Sequence, residues 1–130
     1  MREITKKTIL NKLKTLWSLY VRTRAKFKCE WCGKQKNQKS TDAHHIIPKS
    51  RCGMSGRFDV DNGICLCDYC HRFRKNAESV EYSRWLEKHL AKKELTYDLL
   101  NETYVGISKQ TIEDLKVKLF VLETMYNTLL

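Results

Sequence analysis

No run of 18 apolar residues occurs in this chain, and no leader pattern of basic, apolar and small residues opens it. The first absence argues against a membrane-spanning helix. The second leads us to expect a soluble, cytoplasmic protein, because the apolar residues near the N-terminus are spaced rather than contiguous. There is no internal repeat, low-complexity tract or linker. Acidic residues are few: 15 Asp and Glu stand against 25 Lys and Arg, a formal net charge of +10. Glycine and proline are few as well, at five and one. Four of those glycines and the proline fall between residues 27 and 76.

What is present starts with 130 residues, 42% of them apolar, which suits one domain with a modest core and excludes a disordered chain. The charge is uneven. Residues 1–75 hold 18 Lys and Arg against 6 Asp and Glu, a net +12, whereas residues 76–130 come to −2. A basic surface concentrated in one part of the chain fits a polyanionic partner, most simply nucleic acid. From charge alone, a merely solvated basic face fits equally well.

Helical periodicity dominates both ends. Over residues 5–25, Ile9, Leu13, Leu16 and Tyr20 recur at helical spacing, with Leu10 and Trp17 widening the stripe and most lysines and arginines left for other faces. "SVEYSRWLEKHLAKKE" sets Val80, Trp85, Leu86 and Leu90 near one side, "LTYDLLNETY" reads as a shorter helix ending near Gly106, and Thr111–Leu130 reads as a last helix. Its stripe of Ile112, Leu115, Leu119, Leu122, Tyr126 and Leu129 is heptad-like. That stripe packs on the N-terminal helix of the same chain or zips onto a partner; the first is the preferred reading.

The middle differs. Residues 27–76 contain all six cysteines and three of the four histidines, and too little periodicity for a large core, so they need a staple. We expect a turn at Cys29–Gly33, short strands at Asp42–Ile47 and Gly63–Leu66, a loop at Arg51–Gly56 and a helix from about Asp68. Cys29-Glu-Trp-Cys32 and Cys67-Asp-Tyr-Cys70 supply the staple. Two residues between thiolates let one tight turn present both sulfurs, and two such turns complete a tetrahedron, which predicts a structural zinc ion. Two matched pairs without a thioredoxin-like context argue against a redox role. A closed four-sulfur site has no open position for chemistry. Cys65 reads as a small buried hydrophobe, and Cys52 has no partner at ligand spacing.

His44, His45 and His71 remain, inside the loop the zinc closes. "CEWCG", "AHHIIPKSRCG" and "DNGICLCDYCHRFRKN" together resemble the HNH endonucleases. The resemblance covers Cys29 to about Asn76. It implies an α+β fold: a zinc-stapled ββα-metal core (residues 29–76) between a basic N-terminal helix (1–28) and C-terminal helices (77–130), all one domain. It further implies that His44 and His71 hold a catalytic metal, that His45 is the general base, and that Asn62 holds the loop and orients that base. His44 stands where the family often has Asp, which leaves Mg²⁺, Mn²⁺, Ni²⁺ and Zn²⁺ open as the ion. The segment "GRFDVDNGICLC" looks like phage-encoded members, recombination-associated ones included, which implies the cytoplasm of a bacterial host.

The expected function is metal-dependent hydrolysis of DNA phosphodiester bonds, as a nick or a double-strand break, leaving 5′-phosphate and 3′-hydroxyl ends. Histidine titrates in the range where a water must be deprotonated, and a single metal supplies positive charge to the phosphate. Lys49, Arg51 and Arg57 follow the first strand as phosphate contacts, Arg57 foremost. Little in the chain looks like base readout, so weak sequence selectivity or selectivity for DNA structure is expected. The rival readings are a non-catalytic zinc-dependent nucleic-acid-binding module and a helper subunit of a phage packaging or recombination machine. The helper could dock through the C-terminal helix, as could a homodimer.

Overall fold

The computed structural model describes residues 5–104 and 110–130. Helix α1 (Lys6–Arg24) opens at Thr5, whose hydroxyl accepts the Thr8 N–H. It stops where Lys26 and Phe27 both take positive φ, near 55° and 58°, a conformation that a continuing helix of L-residues does not adopt. The chain turns there into the first cysteine pair.

Strand β1 (Thr41–His45) then pairs antiparallel with β2 (Gly63–Cys67) in a two-stranded sheet, with His45 opposite Gly63 and Ala43 opposite Cys65. β1 stops two residues short of the expected Ile47. Asn62 causes this: the Ile46 N–H still reaches the Asn62 carbonyl, but the Ile47 N–H is taken by the Asn62 side chain.

The expected loop at Arg51–Gly56 is instead helical. Helix α2 (Lys49–Arg57) starts directly after Pro48, whose fixed φ suits a helix start. It is two short turns joined at Gly53, where φ 61° and ψ −170° break the helix in a conformation that only glycine adopts readily. Helix α3 opens as a π-helical turn (Cys70–Arg74) and continues as a regular turn (Lys75–Ala77). Helices α4 (Ser79–Ala91), α5 (Tyr97–Tyr104) and α6 (Ile112–Leu129) follow; the expected end of α5 near Gly106 lies outside the described residues. Thr111 and Asp114 close a reciprocal capping box at the start of α6.

The fold is α+β, with helices on both faces of the hairpin. On one face α1 packs Trp17 and Val21 against Cys65 and Phe58, and α6 covers α1 with Leu115 and Leu122. The heptad-like stripe of α6 is therefore spent inside the chain. On the other face Ile64 and Leu66 pack with Leu86, Leu90, Leu100 and Tyr104 from α4 and α5. Val80, expected on the inner side of α4, is 55% exposed, because α4 turns Tyr82, Leu86 and Leu90 inward instead.

Candidate metal and catalytic site

Cys29, Cys32, Cys67 and Cys70 meet at the base of the hairpin, their sulfurs all within 4.8 Å of one another. Among the described residues they are the one group of three or more His, Cys, Asp or Glu side chains that converges on a point. Cys32 Sγ and Cys67 Sγ are 3.9 Å apart. Four ligands at 2.3 Å from zinc would have edges of about 3.8 Å, so the donor set fits that ion. The Cys32 N–H points at Cys29 Sγ and the Cys70 N–H at Cys67 Sγ, which stabilises charge on the two sulfurs. Cys52 and Cys65 stay outside this group and are fully buried. Burial pushes the Cys65 thiol up to about 12, with Glu30 and Cys29 adding to it, so it packs as a neutral small side chain.

Glu30, inside the first CxxC, was not singled out by sequence. It accepts the Cys65 N–H at 2.6 Å and bonds His89 Nε2 of α4 at 2.7 Å, with Lys93 Nζ at 3.5 Å. Burial pushes its carboxyl up, but the His89, Cys65 and Lys93 contacts outweigh it and hold the group below its usual range. The pair ties α4 to the metal knuckle. Its two halves are 59 residues apart, so no local pattern reveals it.

Period-two alternation sends His44 and His45 to opposite faces of β1. His44 faces α3 and α4: its ring lies 5.0 Å from that of His71 and 6.2 Å from that of Tyr82. Burial lowers the His44 pKa to about 3, with Lys75, His71 and His45 adding positive charge. It is a neutral imidazole at neutral pH, the form that ligates metals. His71 Nδ1 lies 3.0 Å from Asp42 Oδ2. A carboxylate only accepts, so Nδ1 is the donor of this bond and Nε2 is the nitrogen turned to a metal. The two imidazoles thus fit a divalent cation, with Asp42 orienting one of them. Sequence reasoning missed Asp42. Its signal was the i, i+2 spacing to His44, which places both on one face of β1.

His45 faces α1. Its ring stacks on Trp17, centroids 4.0 Å apart and planes 13° from parallel. Its Nε2 lies 2.8 Å from the Arg57 carbonyl oxygen, another acceptor, so Nε2 carries the proton and Nδ1 is the free base. Burial lowers its pKa. The Arg57 carbonyl opposes that shift, and the charges of Lys49 and Arg57 reinforce it. Trp17 is fixed in turn by its indole N–H, which donates to the Asp59 carbonyl at 2.8 Å.

Asn62 is completely buried. Its Oδ1 accepts the Ile47 N–H at 2.7 Å, and its Nδ2 donates to the carbonyls of Ile47 (3.1 Å) and Gly56 (2.9 Å). It thereby ties the exit of β1 to the end of α2. Gly56 immediately precedes Arg57, the residue whose carbonyl holds His45.

A small cavity of about 130 Å³ beside His45 is lined by Lys14, Lys49 and Arg57. Lys49 and Arg57 come together here as basic neighbours of the histidine. Lys14, from α1, joins them because it lies one helical turn before Trp17. Arg51 lies elsewhere and donates to the Tyr97 hydroxyl at 2.6 Å. Asp59 accepts the Tyr104 hydroxyl and the Asp61 N–H, a structural use of both its oxygens. Arg24 donates to the carbonyls of Val60 and Gly63 and pins α1 to the hairpin.

No helix among the described residues is long and apolar enough to cross a membrane. No curated protein and no solved structure shows significant similarity to the chain. A family model described as HNH endonuclease matches residues 29–77, the segment that runs from the first metal-site cysteine through β1 and β2 to the end of α3. Residues 29–77 thus match the HNH endonuclease family and carry four cysteines positioned to bind a metal ion, consistent with its zinc-stapled type.

Proposed function

We propose that this chain is a metal-dependent nuclease that hydrolyses phosphodiester bonds in DNA. The observation that carries the reading is the fixed ring of His45: Nε2 is committed to a backbone carbonyl, the ring is stacked on Trp17, and Nδ1 is left as the remaining ring nitrogen beside a basic cavity. A binding module has no use for such an arrangement.

His45 Nδ1 takes a proton from water, the water oxygen forms a bond to phosphorus, and the P–O3′ bond breaks with the departing O3′ taking a proton from solvent water, leaving a 5′-phosphate and a 3′-hydroxyl. His44 and His71 would hold the catalytic cation, which supplies positive charge to the phosphoryl and leaving oxygens. Asp42 keeps His71 in the tautomer that ligation needs. Lys14, Lys49 and Arg57 bind phosphate next to the base, and Arg51 binds it further along α2. Asn62 is a positioning residue that acts through the Gly56–Arg57 backbone. The four cysteines hold a structural zinc ion that fixes where β2 ends and α3 begins.

The test is nicking of supercoiled plasmid with Mg²⁺, Mn²⁺, Ni²⁺ or Zn²⁺ in turn, by wild type and by His45→Ala. Metal-dependent nicking that His45→Ala abolishes, with zinc content and circular dichroism intact, is the expected result. Equal cutting by both proteins would remove His45 from its role. Binding without cutting by either would make the chain a nucleic-acid-binding module.

A further inference from the structure

His44 and His45 also line a second, larger cleft of about 760 Å³, between the exit of β1 and the inner faces of α4 and α5. Its two ends differ. At one end stand the histidines and Lys75, and Tyr82 lies between them and Tyr97, its ring facing His44. At the other stand Leu90, Tyr97 and Asp98, with Tyr97 reached by Arg51 from α2. Among the lining residues Lys75 is the single fixed cation, while Glu87 and Asp98 are carboxylates. A groove for the outside of a DNA duplex meets phosphates along its length and is lined with cations, which two carboxylates would oppose. A cleft that is cationic at one end and apolar, aromatic and hydrogen-bond-accepting at the other matches one nucleotide: phosphate at the histidines, base among the side chains of α4 and α5.

We infer that this cleft receives an unpaired deoxynucleotide next to the scissile phosphate, its base against Tyr82 and the leucines of α4, so that the substrate is DNA with a flipped or single-stranded nucleotide. This rests on the proposed phosphodiester hydrolysis at His45. Unstacking a base from an intact duplex costs free energy that a bulge or single strand has already lost, so such sites are cut first. The volume accommodates a nucleotide, being within the range of small-ligand pockets.

The experiment uses one duplex in three forms: fully paired, with a single-nucleotide bulge, and with an abasic analogue at the bulged position. Wild-type protein is expected to cut the bulged duplex at the bulge about tenfold faster than either of the others, the loss typical of removing one base–aromatic stack. Ala91→Trp places bulk at the exposed mouth of the cleft without disturbing the core and should lower the ratio of bulged to abasic cutting. Tyr82→Phe should keep the ratio. Equal rates on bulged and abasic DNA, or an Ala91→Trp ratio equal to that of wild type, would overturn the inference. A binding readout separates this from the catalytic reading. 2-Aminopurine at the bulge, mixed with His45→Ala protein, should change its fluorescence as the base enters the cleft, and Ala91→Trp in the same background should abolish that change. If fluorescence changes but no DNA is cut by wild type, the cleft stands and the hydrolytic role of His45 falls. If fluorescence does not change, the cleft inference falls whatever is cut.

Discussion

Replacing Asn62 by alanine should be among the most damaging single changes in this chain, and the structure gives the size of the effect. The side chain is fully buried and makes three hydrogen bonds, at 2.7, 2.9 and 3.1 Å, to three backbone groups. Alanine leaves the Ile47 N–H and the carbonyls of Ile47 and Gly56 without those partners. Each buried group left unsatisfied costs about 1–3 kcal/mol, the N–H most, since it has a single bond to make. Some water will enter the space, so the total should be roughly 3–5 kcal/mol, a large share of the ~5–15 kcal/mol that holds most domains together. Urea unfolding with zinc present should show a lower midpoint at unchanged slope. Asn62→Asp tests the logic from another side. It keeps the acceptor for Ile47 but loses both donated bonds and buries a charge, so it should be no better tolerated. Under conditions where Asn62→Ala remains folded, kcat for nicking should fall up to ~100-fold with KM little changed, because the carbonyl that orients His45 loosens while the phosphate contacts remain. A stability loss below about 1 kcal/mol would refute the reasoning, since it would mean that the three bonds are not made against a water-free background.

Further outcomes follow from other contacts. Gly63→Ala would put a methyl group 2.5 Å from Val21 Cγ2 and 2.8 Å from Trp17 Cζ2, so it should cost about 1–3 kcal/mol in chemical denaturation and shift the tryptophan emission. Cys67→Ser, or exhaustive chelation of the wild type, should lower metal content by elemental analysis and melt residues 29–77 by hydrogen exchange, since apparent zinc binding in small domains is worth about 10–16 kcal/mol. Lys49→Ala and Arg57→Ala should each reduce the slope of log affinity against log salt by about 0.9 in DNA-binding titrations, the value of one phosphate contact. Asp42→Ala should weaken occupancy of the catalytic metal by about 10- to 100-fold in calorimetric titration while leaving the structural zinc in place.

How much of this was legible depends on sequence distance. The two CxxC turns are local, with ligands three residues apart, and the chain announces them directly. The helices at both ends are legible for the same reason, since Ile9, Leu13 and Trp17 recur at the helical period and are all buried. Helix α2 was not legible. Its glycines read as loop, whereas Pro48 starts it, Gly53 lets it break in the middle, and Gly56 lets Tyr104 of α5 pack within a distance that a Cβ would fill. The position of Lys14 was hidden, because only the docking of Trp17 on His45 brings it beside the histidine. Asp42 acquires its meaning from His71, 29 residues away.

The adjacent histidines make the same point about geometry. In a wide sheet, neighbours on one strand are separated by the sheet itself and cannot serve one reaction. Here the sheet has two strands, and among the described residues no third strand covers the outer edge of β1. Both histidines therefore border the same cleft at a free edge, with the His44 ring on the α3 and α4 side and the His45 ring on the α1 side. The arrangement depends on register: a slip of one residue would exchange every side chain between faces and turn each histidine to the face the other now occupies. Two features oppose that slip. Gly63, opposite His45, is the position where Trp17 and Val21 leave no room for a side chain, and Asn62 brackets the next residues of β1 with bonds that no other position can make. The proposed division of labour between His44 and His45 thus rests on the hairpin's register, which is enforced by residues that the proposal places away from the reacting atoms.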